Sequence, residues 1–303
     1  MLAEQRHILR HLTEVGLQAE QKIDLAGVAL MLASLDRPRV SLQKYQHHLE
    51  ILGLDLNARA ENCASAEQRA EALQAVMVDT HGYSGDRHFY DDLQNANLMS
   101  VIDRRAGLPV ALGILYIHAA RTQGWPAEGV NFPAHFLIRI GGAQDHVIMD
   151  PFNGGKILHA RDLRQKLHAI AGQGRELKPD YYRPVTDRNI LLRLLNNIKT
   201  RALKVSDLIL ATQILKRMVL IDPHHIDYKY ELGMLQAHQG DLLRGHETLM
   251  ACLRQLRDRN DPREGLLREQ VMTTLEDIRA SQTPRRLEVV GFAGSEGDTE
   301  KDE

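Results

Sequence analysis

Apolar residues are densest between residues 109 and 120, where Pro-Val-Ala-Leu-Gly-Ile-Leu-Tyr-Ile-His-Ala-Ala runs with almost no polar break. A helix that is apolar nearly all round is buried on every side, so the rest of the chain is expected to pack around it. Its ends are legible. Gly107 permits a tight approach, and Pro109 suits a first helical position, where its fixed φ is already helical and no N–H is needed. Gly124 fits a left-handed cap after Gln123, and Pro126 prevents continuation. Two strands are expected at His135–Ile140 and His146–Asp150, joined by Gly141-Gly-Ala-Gln144, which suits a hairpin. Pairing Ile140 with Asp145 sets His135 opposite Asp150, and opposed residues of an antiparallel pair point to one side of the sheet. A His and an Asp are therefore expected side by side next to the buried helix.

The flanks read mostly as helix. Residues 2–35 carry helical apolar spacing and stop at Asp36-Arg-Pro38. Ser41 is expected to cap a helix whose Leu42, Tyr45, Leu49 and Leu52 form one stripe. Ser65 with Gln68 makes a capping box ahead of Ala66, Ala70, Leu73 and Met77. The loop His81-Gly-Tyr-Ser-Gly-Asp-Arg-His88 precedes a short helix marked by Leu98, Val101, Ile102 and Arg105. Helices first and a small antiparallel sheet afterwards define an α+β class. Asp162–Lys178 is amphipathic and polar, and Pro179-Asp-Tyr-Tyr-Arg-Pro184 reads as a linker. Beyond it a period of 34 residues relates Ile198 to Leu232, Ala211 to Gly245, Leu215 to Leu249 and Met218 to Cys252. Small residues at Ala211 and Gly245 let paired helices approach, and Asp222-Pro223 closes the first unit. This pattern resembles tetratricopeptide repeats, although Lys199 stands where Gly is usual. Two such units are too few for an independent stack, so they are expected to pack on the first domain, with Leu266–Ile278 as a closing helix. Residues 281–303 are polar and acidic at the end, as in a disordered tail. The expected division is 1–185, 186–280 and 281–303.

Composition narrows the function. The chain has 303 residues, 43% of them hydrophobic, and a formal net charge of −2. That balance gives no global attraction to nucleic acid or anionic membrane. Cys63 and Cys252 are the two cysteines, which argues against a disulfide framework and fits a reducing compartment. Charges in Met1-Leu-Ala-Glu-Gln-Arg-His interrupt any secretory apolar region, and no uncharged apolar run reaches the ~18 residues of a membrane span. A cytoplasmic location is expected.

A helix start, a His on one strand and an Asp on the next resemble the transglutaminase-like, papain-related core. Gly124-Trp-Pro-Ala127 resembles that superfamily's mark after the helix. The resemblance places the superfamily's nucleophilic Cys at Pro109 and its His and Asp at His135 and Asp150. Leu32-Ala-Ser-Leu-Asp-Arg-Pro38, His81-Gly-Tyr-Ser-Gly85, Gly107-Leu-Pro-Val-Ala-Leu112, Gly129-Val-Asn-Phe-Pro-Ala-His-Phe-Leu137 and Asp150-Pro-Phe-Asn-Gly-Gly155 are similar to the bacterial SirB family. That family joins a transglutaminase-like domain to tetratricopeptide-like helices and also begins the helix Gly-x-Pro, without Cys. Ala134 stands where the family usually has Gly. The resemblance covers residues 20–160, and 187–260 by pattern.

The site chemistry follows. In an active superfamily member the helix dipole and an imidazole make the Cys a thiolate, and the Asp orients that imidazole. Pro109 has no hydroxyl, thiol or ionisable group. His135 with Asp150 makes either a base or a buried His satisfied by a carboxylate. Cys63, ahead of the Ser65 cap, and Ser100, expected as a surface hydroxyl, have no partner motif. Cys252 occupies a packing position. No His-Glu-x-x-His or paired Cys-x-x-Cys is present, so no metal and no cofactor are expected; His81, Asp86 and His88 form a local cluster read as a loop over the cleft. The basic run Arg183–Lys204 reads as a solvated helix face. In Asp150-Pro-Phe-Asn-Gly-Gly155, turn formation and a cleft-wall role for Phe152 and Asn153 stand side by side. Phe152, Asn153, His81 and Tyr83 are the candidate binding residues. The expectation is a non-catalytic transglutaminase-like adaptor that binds a protein or peptide. The alternative is a hydrolase or acyl transferase using His135–Asp150 with water or a non-standard nucleophile such as Cys63.

Overall fold

The computed structural model describes residues 2–20, 23–130, 132–172, 176–256 and 262–282. The N-terminal helices are α1 (Leu2–Leu17), α2 (Leu25–Ser34), α3 (Gln43–Ala60) and α4 (Ala66–Gln74). Asp24 caps α2 by accepting from Gly27 N at 3.1 Å. The Ser65–Gln68 capping box forms as the spacing requires. Ser41 does not cap α3. That helix starts at Gln43 with Leu42 already helical at the cap position and no side-chain cap bond. A π-helical turn, Ala75–Thr80, continues α4 and delivers His81. Strand β1 (Ser84–Gly85), helix α5 (Leu98–Arg104) and strand β2 (Ala106–Gly107) then lead into α6 (Pro109–Thr122). The two-residue strands β1 and β2 pair in parallel, a contact too short to leave a periodicity in sequence.

Every residue of α6 from Pro109 to Ile117 is buried, as are Ala119 and Ala120. Pro109 is its first residue. At its other end Gly124 has φ 69°, its N–H bonds to Arg121 O at 2.9 Å, and Trp125 N–H reaches back to Ala120 O at 3.2 Å. That is a Schellman closure, which satisfies carbonyls the helix leaves open. The main core cluster wraps this helix with side chains from α1 to α5, from the sheet, and from helices beyond residue 186.

The sheet is five-stranded and antiparallel, in the order β6-β5-β4-β3-β7. Its strands are β3 (Ala127–Val130), β4 (Leu137–Gly141), β5 (His146–Asp150), β6 (Lys156–Leu158) and β7 (Pro184–Val185). Two expectations need correction. Strand β4 begins at Leu137, because Phe132–His135 is a turn with Ala134 at φ 52° and His135 N bonded to Phe132 O at 3.1 Å. The hairpin register pairs Gly141 with His146 and Ile140 with Val147, two residues away from the expected Ile140–Asp145 pairing. Gly141, at φ 107°, extends the strand and donates to Pro126 O at 2.8 Å. A slip of two keeps every side chain on its expected face, whereas a slip of one would have inverted the hairpin.

Helix α7 (Ala160–Ala171) covers the outer face of the sheet, where Val130, Phe132, Leu137, Ile148, Leu158, Leu163 and Leu167 form a second cluster. The segment read as a linker contributes a 3-10 turn, Pro179–Tyr182, and then β7, which pairs with β3. Pro184 lies in this edge strand, where a missing N–H costs nothing, and Pro179 opens the 3-10 turn.

Two helical hairpins follow: α8 (Asp187–Lys204) with α9 (Leu208–Ile221), and α10 (Ile226–His238) with α11 (Leu242–Leu256). Helix α12 (Pro262–Gln282) packs on α11. In the second hairpin a Cβ on Gly245 would lie 3.0 Å from Ala237 N, and one on Gly233 2.6 Å from Leu249 Cγ. The helices touch there because both positions lack side chains. The basic run at 183–204 is not a uniformly solvated face. Arg188 donates to Glu20 and to the carbonyls of Val15, Gln18 and Ile221, closing the open end of α1. Lys199 pairs with Glu231, and Arg201 reaches Tyr90 O. Arg217 of α9 grips Asp36 through two bonds of 2.9 and 2.6 Å. The acidic segment expected to be disordered lies outside the described residues from 283 onward.

Gly113 is where α6 meets the hairpin: an added Cβ would stand 2.5 Å from the Phe136 ring. Gly113→Ala is therefore expected to overpack this contact, costing roughly 2 kcal/mol and lowering Tm by about 4–8 °C. An unchanged Tm in thermal unfolding would mean that Phe136 does not lock the helix to β4.

Candidate functional site

Asp150 ends β5 and caps the 3-10 turn Pro151–Asn153. Its side chain is fully buried and collects donors from three elements. His135 Nε2 lies 2.9 Å from Oδ1, Lys166 Nζ of α7 lies 2.7 Å from Oδ2, and Asn153 Nδ2 lies 2.6 Å from Oδ2. Burial alone would raise the carboxyl's pKa. Hydrogen bonds from His135, Lys166 and Asn153 outweigh burial and hold it well below the usual carboxylate range. Asp150 is therefore ionised and acceptor-only, which puts a proton on His135 Nε2 and leaves Nδ1 as the other ring nitrogen.

His135 reaches Asp150 from the turn before β4 rather than by strand pairing. Ala134 takes the left-handed conformation that Gly adopts at no steric cost, which turns the chain so that the imidazole points back. Arg193 of α8 donates to the His135 carbonyl at 2.9 Å and lies over the Phe136 ring. Phe152 stands edge-on to the imidazole at 6.2 Å and to Tyr90 at 5.8 Å. Asn153 Oδ1 accepts from Arg87, tying the loop after β1 to this turn. The sequence-predicted His135, Asp150, Phe152 and Asn153 thus come together. Lys166 and Arg193 were missed. Each lies on an amphipathic helix, where one cation looks like any other, and only tertiary packing selects it.

His81 and Tyr83 join a different group. His81 Nε2 is 2.7 Å from Asp55. Tyr83 is fully buried, and its hydroxyl lies 2.8 Å from His48 Nε2 and accepts from Arg105. His81, Asp86 and His88 do not form one cluster: Asp86 pairs with Arg104 instead. Among the described residues no group of His, Cys, Asp and Glu is placed to hold a metal ion. The Cys63 thiol donates to Arg59 O at 3.3 Å, and no contact joins it to His135 among the described residues. Ser100 is 8% exposed, so it is not the surface hydroxyl expected. Cys252 is buried in a core cluster, and burial pushes its thiol up to about 11. Two hollows, of about 860 and 820 Å³, are lined by residues other than Pro109, His135 and Asp150.

This geometry offers an oriented imidazole beside a saturated carboxylate. Helix α6 opens on Pro109, whose ring carries no hydroxyl, thiol or ionisable group.

A family model described as transglutaminase-like superfamily matches residues 43–196. The chain is similar to a UPF0162 protein of Xylella fastidiosa, 32% identical over 183 residues, with 59% of this chain and 65% of that protein covered. The match therefore spans a little under two thirds of that relative's length. A UPF0162 protein of Pseudomonas aeruginosa is 30% identical over 205 residues, covering 68% and 74%. Human F-box only protein 21 is 30% identical over 139 residues, covering 43% of this chain and 21% of that protein. No helix among the described residues is long and apolar enough to cross a membrane.

Asp150 contributes stability above its unfolded value of about 3.9, and that contribution is lost as the pH falls through the depressed folded value. Lys166→Met removes one of the bonds that depress it. Urea unfolding is expected to show the variant less stable than the parent at pH 7, with the gap closing as the pH is lowered below 4. A gap that stays constant would mean the Lys166–Asp150 pair contributes nothing.

Proposed function

The chain belongs to the transglutaminase-like superfamily, and we propose that within it the protein is a non-catalytic member that acts as a protein- or peptide-binding adaptor. The observation that carries this is Pro109 at the first position of α6. Covalent acyl transfer needs an atom there that can attack and leave, and a pyrrolidine ring has none. The saturation of Asp150 supports the same reading. A carboxylate held by Lys166, Asn153 and His135 at once ties α7, the turn and β5 together, and that is a structural task whether or not a substrate ever arrives.

The finer reading assigns the protein to the SirB group, with Pro109 replacing the catalytic Cys, a transglutaminase-like unit at 1–185, tetratricopeptide-like helices at 186–280 and an acidic tail at 281–303. The 34-residue spacing of Ala211 and Gly245 and the two successive helical hairpins support it. Because the main core cluster runs through both parts, these units work as one body with two faces. Val205, Ile209 and Leu243, at 74%, 70% and 67% exposure, give the helical face apolar side chains for a partner. The likeness to a protein named F-box only protein 21 accords with protein interaction. A cytoplasmic location completes this reading.

The intact His135–Asp150 pair is the one observation that favours the hydrolase alternative, and activity separates the two. Purified protein is expected to show no turnover of a fluorogenic amide or an aryl ester above that of His135→Ala; turnover abolished by His135→Ala would overturn the adaptor reading. Quantitative affinity purification then compares the parent, His135→Ala and an Ile209→Asp/Leu243→Asp variant. A partner lost only in the double variant assigns binding to the helical face, and one lost only in His135→Ala assigns it to the cleft. No stable partner in any sample would count against an adaptor.

A further inference from the structure

Arg105 follows α5 in the left-handed conformation, φ 58°, which is rare for a side chain that gains nothing from it and tends to mark functional sites. Its backbone is pinned there: its N–H bonds to Val101 O at 2.8 Å, and its carbonyl accepts from Ser84 N at 3.0 Å. Its guanidinium lies over the Tyr83 ring, 4.9 Å from the centroid. It donates through one nitrogen to His48 Nε2 and Tyr83 Oη. Both acceptors are neutral. Burial first, and then the Arg105 charge, lower the His48 pKa to about 4. Because a guanidinium cannot accept a hydrogen bond, His48 Nε2 is the acceptor and its proton sits on Nδ1. The remaining guanidinium nitrogens have no hydrogen-bond partner among the described residues, and no carboxylate there lies within ion-pair distance of Arg105. By contrast Arg37, Arg104, Arg188 and Arg217 each hold an Asp or Glu.

The group borders a hollow of about 350 Å³ between α3 and α5, floored by Ile51 and Ile102 and edged by Lys44, His47, His48, Asp103 and Arg105. Asp103 does not neutralise it. That carboxylate already accepts from Arg37 at 2.8 Å, Lys44 at 3.0 Å and Tyr45 at 2.7 Å. A guanidinium fixed by an aromatic face and two neutral acceptors is oriented for an anion that no described residue supplies. Behind His48, the His81 ring packs edge-on at 5.5 Å and is itself held by Asp55. His81 and Tyr83 thus brace the hollow and do not line it.

We infer that this hollow binds a phosphate-type oxyanion, presented either as free phosphate or as a phosphate monoester. The free edge of Arg105, the Lys44 ammonium and an imidazole N–H are three separate donors, which suits a group with three exposed oxygens better than a two-oxygen carboxylate. The hollow has room for roughly ten water-sized groups, so an ester substituent fits beside the phosphate. The inference is independent of the reading of Pro109, His135 and Asp150.

The test is calorimetric titration of the full-length protein at low salt with inorganic phosphate and, separately, with N-acetyl-O-phosphoserine amide. Saturable one-to-one binding is expected. Arg105→Gln is expected to weaken it by about tenfold or more. Lys44→Gln, at a side chain 68% exposed where folding is not at stake, is expected to weaken it about threefold. Arg244→Gln, at a distant exposed site, leaves it unchanged. Equal affinity for both probes identifies the free anion as the ligand, and tighter binding of the phosphoserine identifies the monoester. Absence of saturable binding to either probe, or binding that Arg105→Gln and Lys44→Gln leave intact, overturns the inference.

Discussion

The constraint on which this fold depends is the burial of α6. A fourteen-residue helix with nearly every side chain inside must be enclosed, and the α-helices before it, the hairpin after it and α8 beyond residue 186 are the layers that enclose it. At roughly 1.5–3 kcal/mol for each large apolar side chain buried, that one helix supplies a stabilisation no surface element can match. The chain therefore tolerates irregular backbone around it: a π turn, two two-residue strands and left-handed positions at Arg105 and Ala134.

Those irregular positions are where the chemistry lies. Only three residues separate Arg105 from Pro109, and the same short β1–β2 contact lies between them. On one side Tyr83 and Arg105 face His48. On the other Gly85, two residues past Tyr83, packs against Phe152, where a Cβ would stand 2.5 Å from the ring, and Phe152 stands against His135. The two charged groups solve opposite problems. Asp150 is a buried anion whose charge is met by His135, Lys166 and Asn153. Arg105 is a half-buried cation whose hydrogen-bond partners among the described residues are neutral.

Much of this was legible from sequence where one local rule decided the outcome. The bounds of α6 followed from Pro109 and Gly124, the α4 start from Ser65 and Gln68, and the faces of the β4–β5 hairpin from strand pairing. The hairpin kept its faces through an error of two in register because side-chain direction in a strand depends only on parity, but His135 meets Asp150 through the turn at Ala134, which strand spacing does not foretell. What stayed hidden was set by distant packing. Lys166 and Arg193 are single cations on helices rich in them. The Pro179–Pro184 segment carries linker composition but finds an exposed sheet edge. Arg188 looked like part of a solvated basic run, yet it satisfies carbonyls some 170 positions away in the chain. Composition records that a charge exists; only the fold decides which carbonyl or carboxylate it meets.

The His135–Asp150 pair has a use that needs no reacting group at Pro109. Holding an imidazole and a carboxylate out of water costs their desolvation, so the pair calls for a reason. Asp150 gives a reason that involves no substrate. It caps the Pro151–Asn153 turn, fastens α7 through Lys166, and holds His135, whose carbonyl fastens α8 through Arg193. Removing Asp150 would strip both His135 and Lys166 of their acceptor, whereas removing His135 would leave the carboxylate to Lys166 and Asn153. A His–Asp pair wired into three elements serves the fold through its charge, and its presence alone is not evidence of turnover.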